Sequence, residues 1–165
     1  MRLQFPDAPA GFTMIELMIT LVVLGVLAVL AAPAMMTLIQ TQQVRTAASD
    51  LHGALNFARS EALKRGVSVD VAPIAGDWKK GWQVQLPDGS LLRSWPALSP
   101  NLASISTATI TYRSDGHTAS APPAMVVRSA TNTQVVARCV SADLSGRPSL
   151  ITDSDGNPSN GCQPQ

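Results

Sequence analysis

What the chain has little of narrows its function first. Of its 165 residues 14% are charged, and the formal net charge is +1. A balance this even gives no general attraction to polyanions or acidic surfaces. Cysteine occurs twice, as Cys139 and Cys162, with no C-x-x-C pair between them. The two histidines, His52 and His117, have no cysteine or carboxylate at ligand or triad spacing, so no metal site is expected. No G-x-S-x-G, H-E-x-x-H or phosphate-loop signature occurs. These absences disfavour a membrane-anchored enzyme, and no cofactor is expected. No internal repeat is present. About 125 residues beyond the long apolar run suffice for one modest core and not for two domains.

That run is the dominant feature. Residues 17–39 carry no charge, and Thr20 and Thr37 are their only hydroxyls. As a helix the run is about 35 Å long, enough to cross a ~30 Å hydrocarbon core. A soluble buried helix of that length normally keeps a polar face, so the run reads as a membrane span. Glu16 stands at its lip. A carboxylate there is costly without a partner, which makes it a candidate functional residue. Pro33 has no amide hydrogen and crowds the preceding turn, so a kink is expected there. Residues 1–10 contain Arg2, Asp7, Pro6 and Pro9, without the small-residue cleavage site that follows the apolar region of a secretory signal.

Beyond Gln40 the pattern changes. Val44, Ala48, Leu51, Leu55, Ala58 and Ala62 recur at steps of three and four, an amphipathic stripe. Lys64 and Arg65 followed by Gly66 form a carboxyl-terminal stop. One helix from about residue 12 to 65 is expected, bent at Pro33, its second half packed on a sheet. From Val67 the period becomes two. Strands are expected at residues 67–74, 82–86, 91–95, 109–113, 124–129 and 133–142, with a loop through Pro96 and Pro100. Residues 148–152 also look extended. The pattern is that of one antiparallel sheet or two small ones. Trp78, Trp82 and Trp95 read as packing residues, and Arg59, Glu61, Lys64 and Arg65 as a solvated face with helix-stabilising pairs.

The heptapeptide Gly11-Phe12-Thr13-Met14-Ile15-Glu16-Leu17 resembles the processing site of type IV pilins and type II secretion pseudopilins. The resemblance implies a prepilin peptidase that cuts after Gly11 and methylates the new terminus at Phe12. Glu16 and Pro33 then stand where that family has its glutamate and proline. The cut would create a positive amine at Phe12. A helix entering a bundle could neutralise its Glu16 with a neighbour's amine, setting axial register.

Residues 58–65, Ala-Arg-Ser-Glu-Ala-Leu-Lys-Arg, followed by Trp78 and Gly81-Trp82-Gln83-Val84, resemble the GspH/FimT class of minor pilins and pseudopilins. The likeness covers the first half of the chain. It implies an α+β, pilin-like fold: a long amino-terminal membrane-spanning helix packed on a small antiparallel β-sheet domain. Residues 1–11 would be the leader, 12–39 the transmembrane and assembly helix, and 40–165 a periplasmic globular domain. The expected function is a minor structural subunit of a type II secretion pseudopilus or a type IV pilus, in the inner membrane. Its expected partners are other pilin or pseudopilin subunits, prepilin peptidase and inner-membrane lipid.

Outside the cytoplasm two cysteines read as one disulfide, Cys139–Cys162, the alternative being two unrelated thiols. DNA-uptake members of the class resemble one another at a Gly-Arg-x-Arg between the cysteines. Here those positions are Gly146-Arg147-Pro148-Ser149, leaving Arg147 as one phosphate contact, with Asp143, Asp153 and Asp155 nearby in sequence. DNA binding is the alternative function. The alternating oxygens of Asp153, Asp155 and Asn157 fail as a calcium loop at Pro158 and read as a turn.

Overall fold

Arg65 closes a helix that begins at Met14, and no other helix of comparable length occurs among the described residues. In the computed structural model these are residues 11–105, 109–122 and 124–153. Helix α1 (Met14–Arg65) ends as expected: Lys64 and Arg65 occupy the last turn, and the Gly66 amide bonds the Ala62 carbonyl. The chain divides into two units, one ending at Met36 and the other starting at Thr37.

In the first unit every side chain of residues 11–36 is exposed. A stretch long and apolar enough to cross a membrane lies in α1, and none of it is buried. The Thr20 hydroxyl turns back onto the Leu17 carbonyl at 2.9 Å, so it presents no free donor.

In the second unit the expected stripe is buried throughout: Val44, Ala48, Leu51, Leu55, Ala58 and Ala62. Two four-stranded antiparallel sheets follow. The first contains β1 (Val69–Pro73), β2 (Trp82–Gln85), β3 (Leu91–Trp95) and β5 (Ile110–Tyr112), in the order β3-β2-β1-β5. The second contains β4 (Leu102–Ile105), β6 (Met125–Ser129), β7 (Arg138–Ala142) and β8 (Pro148–Thr152), in the order β4-β6-β7-β8. The main core joins Leu51, Leu55, Ala58 and Ala62 of α1 to Val69, Val71, Trp82, Val84, Ile110 and Tyr112 of the first sheet and Met125 and Val140 of the second. The helix contributes Leu51 and Leu55 between the small alanines, and the strands contribute valines with the larger Trp82, Ile110, Tyr112 and Met125.

Strand alternation explains most of this. Val69 and Val71 are buried while Asp70 between them is half-buried; Trp82 and Val84 alternate likewise with Gln83 and Gln85. Gly81 opens β2 with φ 100°, and a Cβ there would lie 2.3 Å from the Trp95 carbonyl oxygen. The Gly-Trp step is thus a close backbone crossing that only glycine permits. It places Trp82 opposite Trp95, their rings stacked 6.3 Å apart, with the Arg93 guanidinium 4.8 Å over Trp95.

Two expectations are corrected. The segment expected as loop between residues 96 and 109 contains β4, paired with β6 from Leu102↔Ser129 to Ile105↔Val126. The strand expected from residue 133 begins at Arg138. Side-chain turn chemistry holds the preceding residues out of the sheet. The Ser129 hydroxyl accepts from the amide of Asn132, and Asn132 Oδ1 accepts from the amide of Gln134 at 2.9 Å. This loop is tied to α1: Ser129 donates to Gln40 Oε1 and Asn132 Nδ2 to Thr37 Oγ1, both at 3.2 Å.

Candidate functional site

At the amino-terminal motif, Gly11, Phe12 and Thr13 precede the helix. Thr13 caps α1: its Oγ1 accepts from the Glu16 amide and its carbonyl from the Leu17 amide, each at 3.2 Å. The cap satisfies donors that the first turn leaves open. Thr13 is a residue the motif reading passed over, although Thr-x-x-Glu is the spacing of a capping box. Glu16 lies in the first turn, where the helix dipole favours a negative charge, and its side chain is exposed, as is Phe12. Pro33 lies inside α1, which continues through it as helix. With no amide hydrogen, Pro33 gives the Val29 carbonyl no helical bond.

The carboxyl-terminal end of α1 reaches into a second constellation. Arg59 donates from Nε to the Gly116 carbonyl and from Nη2 to the Ser145 carbonyl, both at 3.2 Å. It is a clamp on two turns, which corrects its reading as part of a plain solvated face. Its neighbours keep the expected pairs, with Glu61 at 2.6 Å from Arg65 and 3.8 Å from Lys64. The Arg65 hydrogen bond, above all, holds the Glu61 carboxyl below its ordinary range.

The turn holding Gly146 and Arg147 is built by Asp143. Its Oδ1 accepts from the Ser145 hydroxyl at 2.6 Å and from the Arg147 amide at 2.9 Å, and these bonds hold its carboxyl below the usual range. The Asp143 carbonyl accepts from the Thr118 hydroxyl at 3.0 Å, joining this turn to the one at Gly116. Asp115 shapes that second turn by accepting from the His117 amide at 3.0 Å, the main cause of its lowered pKa. His117 therefore does have a carboxylate neighbour, its Nδ1 lying 3.5 Å from Asp115.

Arg147 borders a cavity of about 620 Å³ together with His52, Ser141 and Ser149. An adjoining cavity of about 460 Å³ is bordered by Arg45, Ser49 and Arg138, and Leu150 borders both. His52 thus borders the same cavity as Arg147, and Arg45 and Arg138 border the adjoining one; His52 and Arg45 stand far from Arg147 in the chain, which hides the grouping from the sequence. Cys139 is buried on β7, in register with Val126 on one side and Ile151 on the other. Cys162 and residues 154–158 of the weighed calcium loop lie outside the described residues. Among the described residues no three His, Cys, Asp or Glu side chains are grouped to hold a metal ion.

A family model described as "Type II transport protein GspH" matches residues 47–146, and one described as "Prokaryotic N-terminal methylation motif" matches residues 8–32. Among solved structures the chain is similar to the type IV minor pilin FimU of Pseudomonas aeruginosa strain PAO1. In one crystal form the identity is 21% over 74% of this chain and 96% of that one, with a TM-score of 0.57. In a second crystal form it is 23% over 72% and 99%, with a TM-score of 0.55. The minor pseudopilin EpsH from the Type 2 Secretion System of Vibrio cholerae shares 13% over 68% of this chain and 99% of that one, at a TM-score of 0.53. At these identities the likeness is one of fold. No curated protein matches the chain.

Proposed function

The chain belongs to the GspH family of type II transport proteins, and on that premise we propose that it is a minor subunit of a type II secretion pseudopilus or a type IV pilus. The observation that carries the reading is the capped, fully exposed apolar start of α1, from Thr13 and Glu16 onward, lying within the methylation motif. The structural relatives are a minor pilin and a minor pseudopilin, and we read this chain as a subunit of that kind rather than an enzyme. Prepilin peptidase cuts after Gly11, and the Phe12 amine is methylated. Residues 12–39 remain in the inner membrane and residues 40–165 fold in the periplasm. Glu16, carried at the start of the helix, receives the amine of a neighbouring subunit, because a charge in lipid is stable only when paired. A Cys139–Cys162 disulfide fastens the tail to β7.

Mass spectrometry of protein extracted from membranes tests the processing step. The expected chain begins at N-methylated Phe12. An intact Met1 terminus in cells with active prepilin peptidase would overturn it.

DNA capture is the second reading, and one observation favours it: His52 borders the same cavity as Arg147, and Arg45 and Arg138 border the cavity that shares Leu150 with it. Several cations along one groove can neutralise successive phosphates where a lone arginine cannot. Asp143 on the same border offsets that field, so the expected binding of duplex DNA by the full chain in detergent is weak. A gel-shift titration at two salt concentrations, with Arg45→Ala and Arg147→Ala, checks it. Submicromolar, salt-sensitive binding that both variants abolish would make DNA capture the leading function.

A further inference from the structure

In the second unit the two flanks of α1 carry opposite charge. The stripe through Val44, Ala48 and Leu51 is buried. At about 100° per residue, Asp50 and Arg45 fall on opposite sides of that stripe. On the Asp50 side a groove of about 400 Å³ is bordered by the exposed Ile39, Gln42, Thr46, Pro96 and Ala97, and Asp50 is its one charged residue among the described residues. On the other side Arg45 borders the cavity it shares with Ser49, Arg138 and Leu150. Arg138 is engaged, donating to Thr152 Oγ1 at 2.8 Å. The side chains of Arg45 and Asp50 are exposed, and among the described residues neither makes a hydrogen bond or an ion pair.

We propose that the Asp50 groove docks the Arg45 flank of a second copy of this chain. The inference rests on the reading of α1 as a membrane anchor, because anchored copies stand parallel and meet flank to flank. Charge complementarity selects the occupant: one flank offers an unengaged carboxylate and no cation, the other an unengaged guanidinium. An exposed ion pair adds little affinity by itself, so the pair fixes the register. Burial comes from the aliphatic stem of Arg45 laid on the apolar border of the groove. Each copy uses one flank as donor and the other as acceptor, so the contact is heterologous and further copies can add. Arg45 precedes Asp50 by five residues, which displaces the second copy along α1 by about 7.5 Å. A contact with such a shift continues as an open helix and does not close into a ring. The proposed pairing of Glu16 with a neighbour's Phe12 amine needs a four-residue shift in the same sense, so one displaced neighbour serves both pairs.

The test uses the full chain in vesicles of phosphatidylethanolamine and phosphatidylglycerol, carrying Arg45→Lys and treated with a water-soluble carbodiimide. The reagent condenses a carboxylate with an ammonium group in contact with it. The expected product is a ladder of covalent oligomers in which position 45 of one copy is joined to Asp50 of the next, and adding Asp50→Asn should remove that ladder. An equal ladder with Asp50→Asn overturns the groove as the docking site, and dimers without higher species overturn the head-to-tail contact. Charge exchange gives a second reading. Differently tagged Asp50→Arg and Arg45→Asp chains should capture each other from one membrane better than either captures itself; a mixture no better than the separate variants overturns the pair. A chain that floats with the vesicles but forms no cross-link overturns the contact and leaves the anchor intact. A chain that fails to float overturns the anchor, and the contact with it.

Discussion

Gly146 sits so close to Gly116 that a Cβ on it would lie 1.9 Å from the Gly116 carbonyl oxygen. Its φ of 77° is also in the left-handed region. Gly146→Ala should therefore destabilise the chain by about 3 kcal/mol, combining backbone strain with a clash that no flexible side chain can relieve. Gly53 gives the opposite sign. It is exposed within α1, and a Cβ there meets nothing within 4 Å. Gly53→Ala should stabilise by about 0.5–1 kcal/mol. Denaturant unfolding of the full chain in detergent, followed by tryptophan fluorescence, measures both.

Tyr112 is the one tyrosine in the chain and is fully buried. Burial pushes its pKa up to about 12, with the Arg59 charge pulling the other way. The folded state thus keeps the phenol proton at a pH where the unfolded chain has released it. Stability from this group is complete below pH ~10 and is lost as pH rises toward 12, by roughly 2–3 kcal/mol. Tyr112→Phe should flatten that part of the stability profile. Because the Tyr112 hydroxyl has no partner among the described residues, the substitution should be nearly neutral at pH 7. Phenolate absorbance reports this one group directly.

Glu16→Val should insert into membranes at least as well as the native chain, since it removes a charge from the edge of the apolar run. It should be depleted from sheared filaments, because the neighbour's amine loses its counter-charge. Equal recovery of the variant and the native chain in filaments would remove Glu16 from the assembly step.

The proposed Cys139–Cys162 bond closes a loop of about two dozen residues, for which about 3 kcal/mol of stabilisation is expected. Non-reducing peptide mapping of protein from the periplasmic side should yield the linked pair. Two free thiols there would reject the pairing.

The parts legible in the sequence are those where one face of a regular element is buried. The spacing of Val44, Ala48, Leu51, Leu55, Ala58 and Ala62 identifies the buried stripe residue by residue. Val69 with Val71, and Trp82 with Val84, do the same for two strands. β4 was obscured because Ala103 and Ser104 are weak strand formers next to the turn signals of Pro96 and Pro100. Residues 133–137 alternate like a strand, yet the hydrogen bonds of Ser129 and Asn132 make them a loop. At the amino-terminal site the motif residues stand in sequence, so the reading needed no tertiary contact. The Arg59 clamp and the grouping of His52 with Arg147 could not be read, because each joins residues from distant parts of the chain.

The Arg59 clamp bears on the order of folding. Its two carbonyl partners lie 57 and 86 residues further along the chain. On the ribosome, neither bond can form until the turns at Gly116 and Ser145 have emerged, after α1 and the first sheet are already outside. Long-range closures of this kind form late in folding. Substitutions at Arg59 or Gly146 should therefore leave the folding rate nearly unchanged and act by shortening the lifetime of the folded molecule.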